Sequence, residues 1–474
     1  MALENMPAAF QQAFQQNMLD RKFKQGLDAR NIFRKAALKD PIPRRAGESI
    51  IYSRAGHLVP VISPDDPANN TLATDLNATG QGVGSSNNSY PLEQFPIYIN
   101  SRHQRLDINI LQNEETLASL YVQNWLEIAR QAALSIDLMA LQQLAKSYES
   151  GMSFVTTATS ASTTAHVDNI NGLSTAFGTV TIGGVTFPSG QPAAVSATNT
   201  LTATVYPASG ATPYTVTITG AVADGSNTSQ MTTPAGIVAG VSGTLTFSAN
   251  QTFAVGDVIK ASDAPTILRP NGKLSRDALA ATDTITIQLI NNAVAELRRN
   301  VVDTLADGTY LCAIDPYLQA QFFADPDFKL AMMGQMEEST IYKNARLARN
   351  LGVTFVDTTN CPNYSFTNSA SASLVAHHAY VMGKGALIEG TFDGMVAGYK
   401  AMANQAISHV RLVDDYALIT RPALDSQSQI YSQSWTWIGG HVCPTDATIT
   451  AAVTPSATAA RYKRCVAIEV AADS

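Results

Sequence analysis

Apolar residues recur at steps of three and four along residues 113–149. Leu117, Tyr121, Trp125, Ile128, Ala132, Ile136 and Met139 form one stripe, with Glu114, Glu127, Arg130 and Gln131 among the polar positions. That period predicts an amphipathic helix roughly 50 Å long at 1.5 Å per residue, with Glu114 and Glu115 at the positive end of its dipole. The stripe is too short for several clean heptads, which disfavours a coiled coil. Residues 1–40 also show helical spacing, with Phe10 and Phe14 one turn apart and Leu27 and Ile32 set among basic side chains. The two prolines of "DPIPRR" then stop any helix.

Around the long helix the pattern changes to strand-like runs. "ESIIYSRAGHLVPVI" (48–62) and "PLEQFPIYINSRHQRLDINI" (91–110) flank a stretch dense in Pro, Asn, Gly and Ser, and together predict one long two-stranded ribbon. Such a ribbon cannot bury both its faces, so it is expected to lie on a neighbouring surface, in cis or in trans. Residues 151–272 hold short β-favouring runs such as "NTLTATVYP", "YTVTITGA" and "GTLTFSA", separated by turn residues at the spacing of an inserted β-sandwich. A mixed α/β pattern resumes after Lys273. It comprises a helix over 282–300, a strand "TYLCAID", and a helix from Pro316 that Asp315 can cap. Strands "NLGVTFVDT", "HHAYVMGKGALIEG", "AISHVRLVDDYALITRP" and "QIYSQSWTWIGGHVC" follow, and "RCVAIEVA" closes a low-complexity tail.

With 474 residues the chain exceeds one ordinary core. Its 15% charged content is low for a freely solvated monomer and points to protein-covered surface. Net charge is −7, but residues 1–45 carry nine Lys/Arg against four Asp/Glu, so the basic part is the N-terminal arm. Between Glu149 and Asp257 the only charges are Asp168 and Asp224, too few for disorder driven by repulsion. The four cysteines form no CxxC pair, as expected of a reducing compartment, and neither a signal peptide nor a membrane span is legible.

Enzyme motifs are scarce: no GxSxG, HExxH or GxxxxGK[ST] occurs. "MGKGAL" reads as a tight turn into a helix, and "GQGVG" lies in the ribbon tip rather than after a buried strand. The acid pairs Asp65–Asp66, Glu337–Glu338 and Asp414–Asp415, and His377–His378 or His441 with Cys443, lack the further ligands that a metal needs. No catalytic, cofactor or metal site is expected.

The order basic arm, ribbon, long helix, neutral insert and α/β body resembles the HK97-like major capsid proteins of tailed bacteriophages. The carriers are the two ribbon segments, "ETLASLYVQNWLEIARQAALSIDLMALQQL" in the spine-helix position and "YLCAIDPYLQAQFFADPDF" at a strand–Pro–helix junction, with "AYVMGKGALIEG" and "ALITRP" further on. The resemblance implies an α+β fold: N-terminal arm 1–47, extended loop and peripheral strands 48–110, spine helix 111–150, Ig-like inserted β-sandwich 151–272, axial domain 273–425, and C-terminal peripheral strands and tail 426–474.

It further implies hexamers and pentamers of a homo-oligomeric capsid shell, a virion localisation with assembly in the host cytoplasm, and contact with packaged DNA without sequence specificity. Implied partners are a scaffolding protein, a portal protein and a decoration protein, with no membrane. Only about 45 residues precede the ribbon, hence a separate scaffolding protein. Expected inter-subunit contacts are Phe10, Phe14, Arg30, Arg34, Ile51, Tyr52, Arg54, Leu58, Phe95, Ile97, Tyr98 and Arg102; Arg21, Lys22, Lys24 and Lys35 face either acidic neighbours or the genome. The insert is expected on the shell exterior, its low charge sparing it the cost of desolvating ions.

The family's best-known member cross-links its shell through an extended-loop lysine. No lysine lies here between Lys39 and Lys146, so clamping is expected to be non-covalent. The alternatives are a secreted or cell-surface adhesive protein with an Ig-like module, which would call for a signal peptide, and an enzyme with a β accessory domain, which would call for a convergent polar cluster.

Overall fold

The computed structural model describes residues 32–42, 49–55, 92–109, 117–182, 185–224, 231–232, 238–262, 264–333, 349–350, 352–368, 371–392, 409–413, 415–421, 430–443 and 463–473. A 3-10 turn, Phe33–Ala36, leads into β1 (Ala37–Ile42), then β2 (Ser49–Ala55), β3 (Leu92–Tyr98), β4 (Asn100–Asn109) and the long helix α1 (Leu117–Tyr148). The insert follows: β5 (Met152–Phe154), β6 (Thr159–Val167), β7 (Thr175–Ile182), β8 (Val185–Ala194), β9 (Leu201–Tyr206), β10 (Tyr214–Ala223), β11 (Met231–Thr232), β12 (Val238–Gly240), β13 (Gly243–Phe253) and β14 (Val258–Ala261). The body resumes with β15 (Ile267–Leu268), α2 (Ile287–Arg299), β16 (Tyr310–Ile314), α3 (Pro316–Ala324) and α4 (Pro326–Met333). It continues through β17 (Arg349–Asn350), β18 (Val353–Asp357), β19 (Asn363–Thr367), β20 (Ser373–Met382), β21 (Leu387–Phe392), β22 (His409–Val413), β23 (Tyr416–Arg421), β24 (Ile430–Val442) and β25 (Cys465–Asp473). The fold is mixed α+β and rich in sheet.

Two body sheets share α1. The first runs β1-β21-β24-β23-β22, with β4 paired along β24; the second runs β15-β25-β20-β16-β18-β17, with β19 on β20. The first half of the predicted stripe, Trp125, Ile128, Ala132 and Ile136, packs on Tyr416, Leu418, Trp435 and Trp437 of the first sheet. Beyond the predicted stripe, Ala140, Leu141, Leu144 and Tyr148 continue the buried face of α1 and pack on Leu311, Ala313, Tyr380 and Ala467 of the second. Alternation along each strand sends Cys312, Ile314, Val381, Val466 and Ile468 to the opposite face, where α2, α3 and α4 cover them with Leu289, Leu297, Leu318, Phe322 and Phe328. The second sheet therefore lies between helical layers, which explains strands buried along their whole length.

Several expectations are corrected here. "ALKDPI" is not the end of a helix but β1, an edge strand parallel to β21, where Pro41 costs no ladder bond. The second ribbon segment divides: β3 pairs with β2 from Ser49↔Tyr98 to Ala55↔Leu92, whereas β4 leaves the ribbon and joins β24. On its β3 side the ribbon takes the cis cover that was one of the two expected outcomes, since β3 runs beside β8. "MGKGAL" turns into a strand, with Gly385 at φ +76° in the tight turn between β20 and β21. The tail strand β25 lies inside the second sheet, between β15 and β20.

The insert is one curled sheet rather than two stacked ones. Its order is β5-β14-β9-β10-β13-β6, all antiparallel, and its edges meet where Val155 bridges Val167 and the Thr156 and Asp168 N–H groups donate to His166 and Phe154 carbonyls. Closure removes both sheet edges, and a single interior holds Val155, Val205, Ile218, Leu245, Phe247, Phe253 and Ile259. The hairpins β7–β8 and β11–β12 stand outside this path.

Candidate functional site

The arm enters the body through a buried clasp. Phe33 is fully buried among Ala140, Leu144 and Tyr380, whose ring it meets edge-on at 6.4 Å. The turn that starts there exposes three backbone donors, and one oxygen of Asp137 on α1 accepts all of them: Ile32 N–H at 2.9 Å, Phe33 N–H at 2.9 Å and Arg34 N–H at 3.2 Å. Burial nevertheless dominates and pushes the Asp137 carboxyl up to about 6.

Arg34 turns into its own chain. Its Nε donates to Glu389 at 2.7 Å, a second guanidinium nitrogen pairs with the other Glu389 oxygen, and contacts to the Tyr416 hydroxyl at 3.0 Å and Asp415 at 3.1 Å complete the fork. Burial alone would raise the Glu389 carboxyl, but the Arg34 hydrogen bonds outweigh it and hold it well below the usual carboxylate range. Lys39 joins from outside, 2.7 Å from Asp415.

A second buried cluster sits where the insert leaves and re-enters the body. Glu469 on β25 shares the face of Cys465 and Ala467, so it points toward the end of α1 rather than toward α2. There it meets Arg269 at 2.6 Å, Arg276, and His378 at 3.3 Å. Arg276 also stacks 4.8 Å over the Tyr364 ring, and Glu149 at the end of the helical segment bonds the Tyr380 hydroxyl. Burial works against the Glu469 charge, yet the two arginines hold its carboxyl far below the ordinary value. Asp168, just beyond β6, accepts the Phe154 N–H at 2.8 Å, and burial raises its carboxyl to about 6. The cavity among these groups is only about 20 Å³, room for a single water. The insert is thus joined to the body through desolvated ions, against the expectation of an ion-free contact.

The ribbon base is anchored by Ile97, fully buried against Val442 with Tyr52, Ile99 and Phe392 around it, and by the Tyr52 hydroxyl donating to Asp40 at 2.5 Å. Ile51 remains 54% exposed, Tyr98 is half-buried, and Arg102 is exposed on β4. Arg54 and Phe95 lie in β2 and β3. Lys35 is exposed beside the clasp, whereas Arg34, expected at a subunit contact, is consumed inside the chain. Phe10, Phe14, Arg21, Lys22, Lys24, Arg30 and Leu58 lie outside the described residues.

His377 donates or accepts at Asp315, 2.5 Å away, and His441 stands 3.6 Å from Glu389. Among the described residues no group of three His, Cys, Asp or Glu could hold a metal, and no helix is long and apolar enough to cross a membrane. Asp137, Glu149, Arg269, Arg276, Glu389 and Glu469 were not singled out by motif. Their signal is a lone charge inside an apolar run, as in "CVAIEVA", which burial obliges to find a partner.

No family model and no curated protein matches the chain. Solved structures do. The chain is similar to one from the capsid of Ralstonia phage GP4, at 11% identity, TM-score 0.44, with 94% of this chain and 91% of that one covered. It is also similar to the capsid of cyanophage P-SCSP1u, at 11% identity, TM-score 0.42 and 94% and 89% coverage. Cyanophage Pam1 capsid gives 10% identity, TM-score 0.42 and 90% and 86% coverage.

Proposed function

We propose that the chain is the major capsid protein of a tailed phage, building hexamers and pentamers of an icosahedral head around double-stranded DNA. Its role is structural, and its place is the virion capsid. The reading rests on the chain's own features rather than on the loose structural likenesses. One observation carries it: the ribbon is rooted at its base by buried contacts, yet among the described residues its sheet is only two strands wide. Its β3 side has β8 for cover, and the exposed apolar Ile51 on β2 is left for a second molecule. The shell is then held by many modest contacts between copies that each fold on their own.

The insert is read as an exterior module, because α1, β25 and the arm occupy the faces on which the body is built. A scaffolding protein during assembly, a portal protein at one vertex, a decoration protein and unspecific contact with DNA belong to the same reading. Purified subunits, alone and with the phage's scaffolding protein, are expected to give shells or capsomers in negative-stain microscopy. A species that stays monomeric at high concentration under both conditions overturns the reading.

A further inference from the structure

A cleft of about 220 Å³ opens between the C-terminal half of α1 and the place where β4 crosses the end of β24. Asn100 and Arg102 of β4, Gln142 and Lys146 of α1, and Trp437 and His441 of β24 line it. Its charge is one-sided, for two cations reach it and, among the described residues, no carboxylate lines it. Lys146 has no acidic partner among the described residues, and burial lowers its ammonium below the ordinary value with no counter-charge opposing. Arg102 is likewise unpaired there, unlike its strand neighbour Arg105, which meets Asp107 at 2.7 Å. The indole N–H of Trp437, a residue only 1% exposed, finds no acceptor among the described residues. A buried donor without an acceptor is costly, and this one belongs to a residue that lines the cleft.

Two cations and side-chain amides around a space of this size suit carboxylates, which a guanidinium grips in a bidentate fashion and an ammonium neutralises. We propose that the cleft seats the Asp65–Asp66 pair of a second copy of this chain. The complementarity is in the sequence: between Arg54 and Arg102 stand Asp65, Asp66, Asp75 and Glu93 and no Lys or Arg, so this segment carries uncompensated acid. The proposal rests on the capsid reading in requiring neighbouring copies.

Unassembled full-length subunits titrated with a peptide of residues 63–70 test it, with tryptophan fluorescence as the readout because Trp437 lines the cleft. Saturable binding is expected, weakened about tenfold or more by Lys146→Glu, by Arg102→Glu, or by Asn at both aspartates of the peptide. Competition by inorganic phosphate supports a shared anion seat. No binding, equal binding of the Asn peptide, or indifference to Lys146→Glu overturns the proposal, as does phosphate binding without peptide binding. Thermal melting confirms that each variant is folded, with Lys146→Gln as the milder substitution. In assembly, Lys146→Glu is expected to abolish shells and Asp65→Lys with Asp66→Lys to restore them; a block without rescue assigns the cleft another occupant. If the wild type forms no shells, the capsid reading fails, while the titration still decides the cleft.

Discussion

Glu389 is fully buried, and its charge persists because Arg34 reaches both of its oxygens. Arg34→Ala leaves that carboxylate desolvated and alone, and is expected to cost about 3–5 kcal/mol in urea unfolding of the subunit. Arg34→Lys retains the charge but not the fork, and should fall between the two. Replacing Arg34 and Glu389 together by apolar residues is expected to recover most of the loss, which separates an uncompensated charge from lost packing. Asp137 behaves oppositely with pH. Its folded-state value, about 6, lies above the ordinary aspartate value of 3.8, so the protonated form favours the fold. The stability it contributes is complete below about pH 4 and declines as pH rises through about 6, by up to ~3 kcal/mol. Asn keeps an oxygen for the three N–H groups. Asp137→Asn is therefore expected to flatten stability between pH 4 and 6 relative to wild type, as read from denaturant midpoints. Glu389 and Glu469 slope the other way, adding stability above about pH 4.5 that is lost in acid, and they do so equally in both proteins.

At the scale of elements, the closed insert should be separable. Phe154 faces Val258 across an antiparallel pair, so an Asn-Gly turn between them leaves a β5–β14 hairpin and removes the barrel. Arg269, Arg276, Glu149 and Glu469 all remain. The excised protein is expected to keep cooperative melting by circular dichroism, at a cost to the body of no more than about 2 kcal/mol; a chain that fails to fold would make the barrel integral to the core. The helices here were legible from the chain itself, because α1 has a continuous stripe and α3 has Asp315 accepting the Tyr317 N–H ahead of Pro316. The strands of the insert were legible as strands, but closure depends on one bridge, Val155↔Val167, between residues whose local pattern says nothing of it. β1 was hidden for a related reason: "ALKDPI" has poor strand composition and is held extended only by its pairing with β21. The clasps were invisible because their members lie 355 and 200 positions apart. Sequence marks such residues only as charges out of place.

At the scale of the whole molecule, the capsid reading requires folding and assembly to be separable by a cut in the ribbon. The pair Ala55↔Leu92 is the last of the β2–β3 ladder among the described residues, so joining these residues through an Asn-Gly turn removes 56–91 while leaving the ribbon base intact. Everything that anchors the base survives: Ile97 on Val442, the Tyr52–Asp40 bond, and the arm clasp at Asp137 and Arg34. The subunit should then melt as wild type does, since the residues that make these contacts all lie outside the deletion. Shells should not form, because the removed strand length and its acidic Asp65–Asp66 pair are what would lie on the next copy. Analytical ultracentrifugation distinguishes the outcomes, with isolated subunits or capsomers expected in place of particles. Particles at wild-type yield would mean that copies hold one another through the body alone, and the ribbon would lose its assigned role.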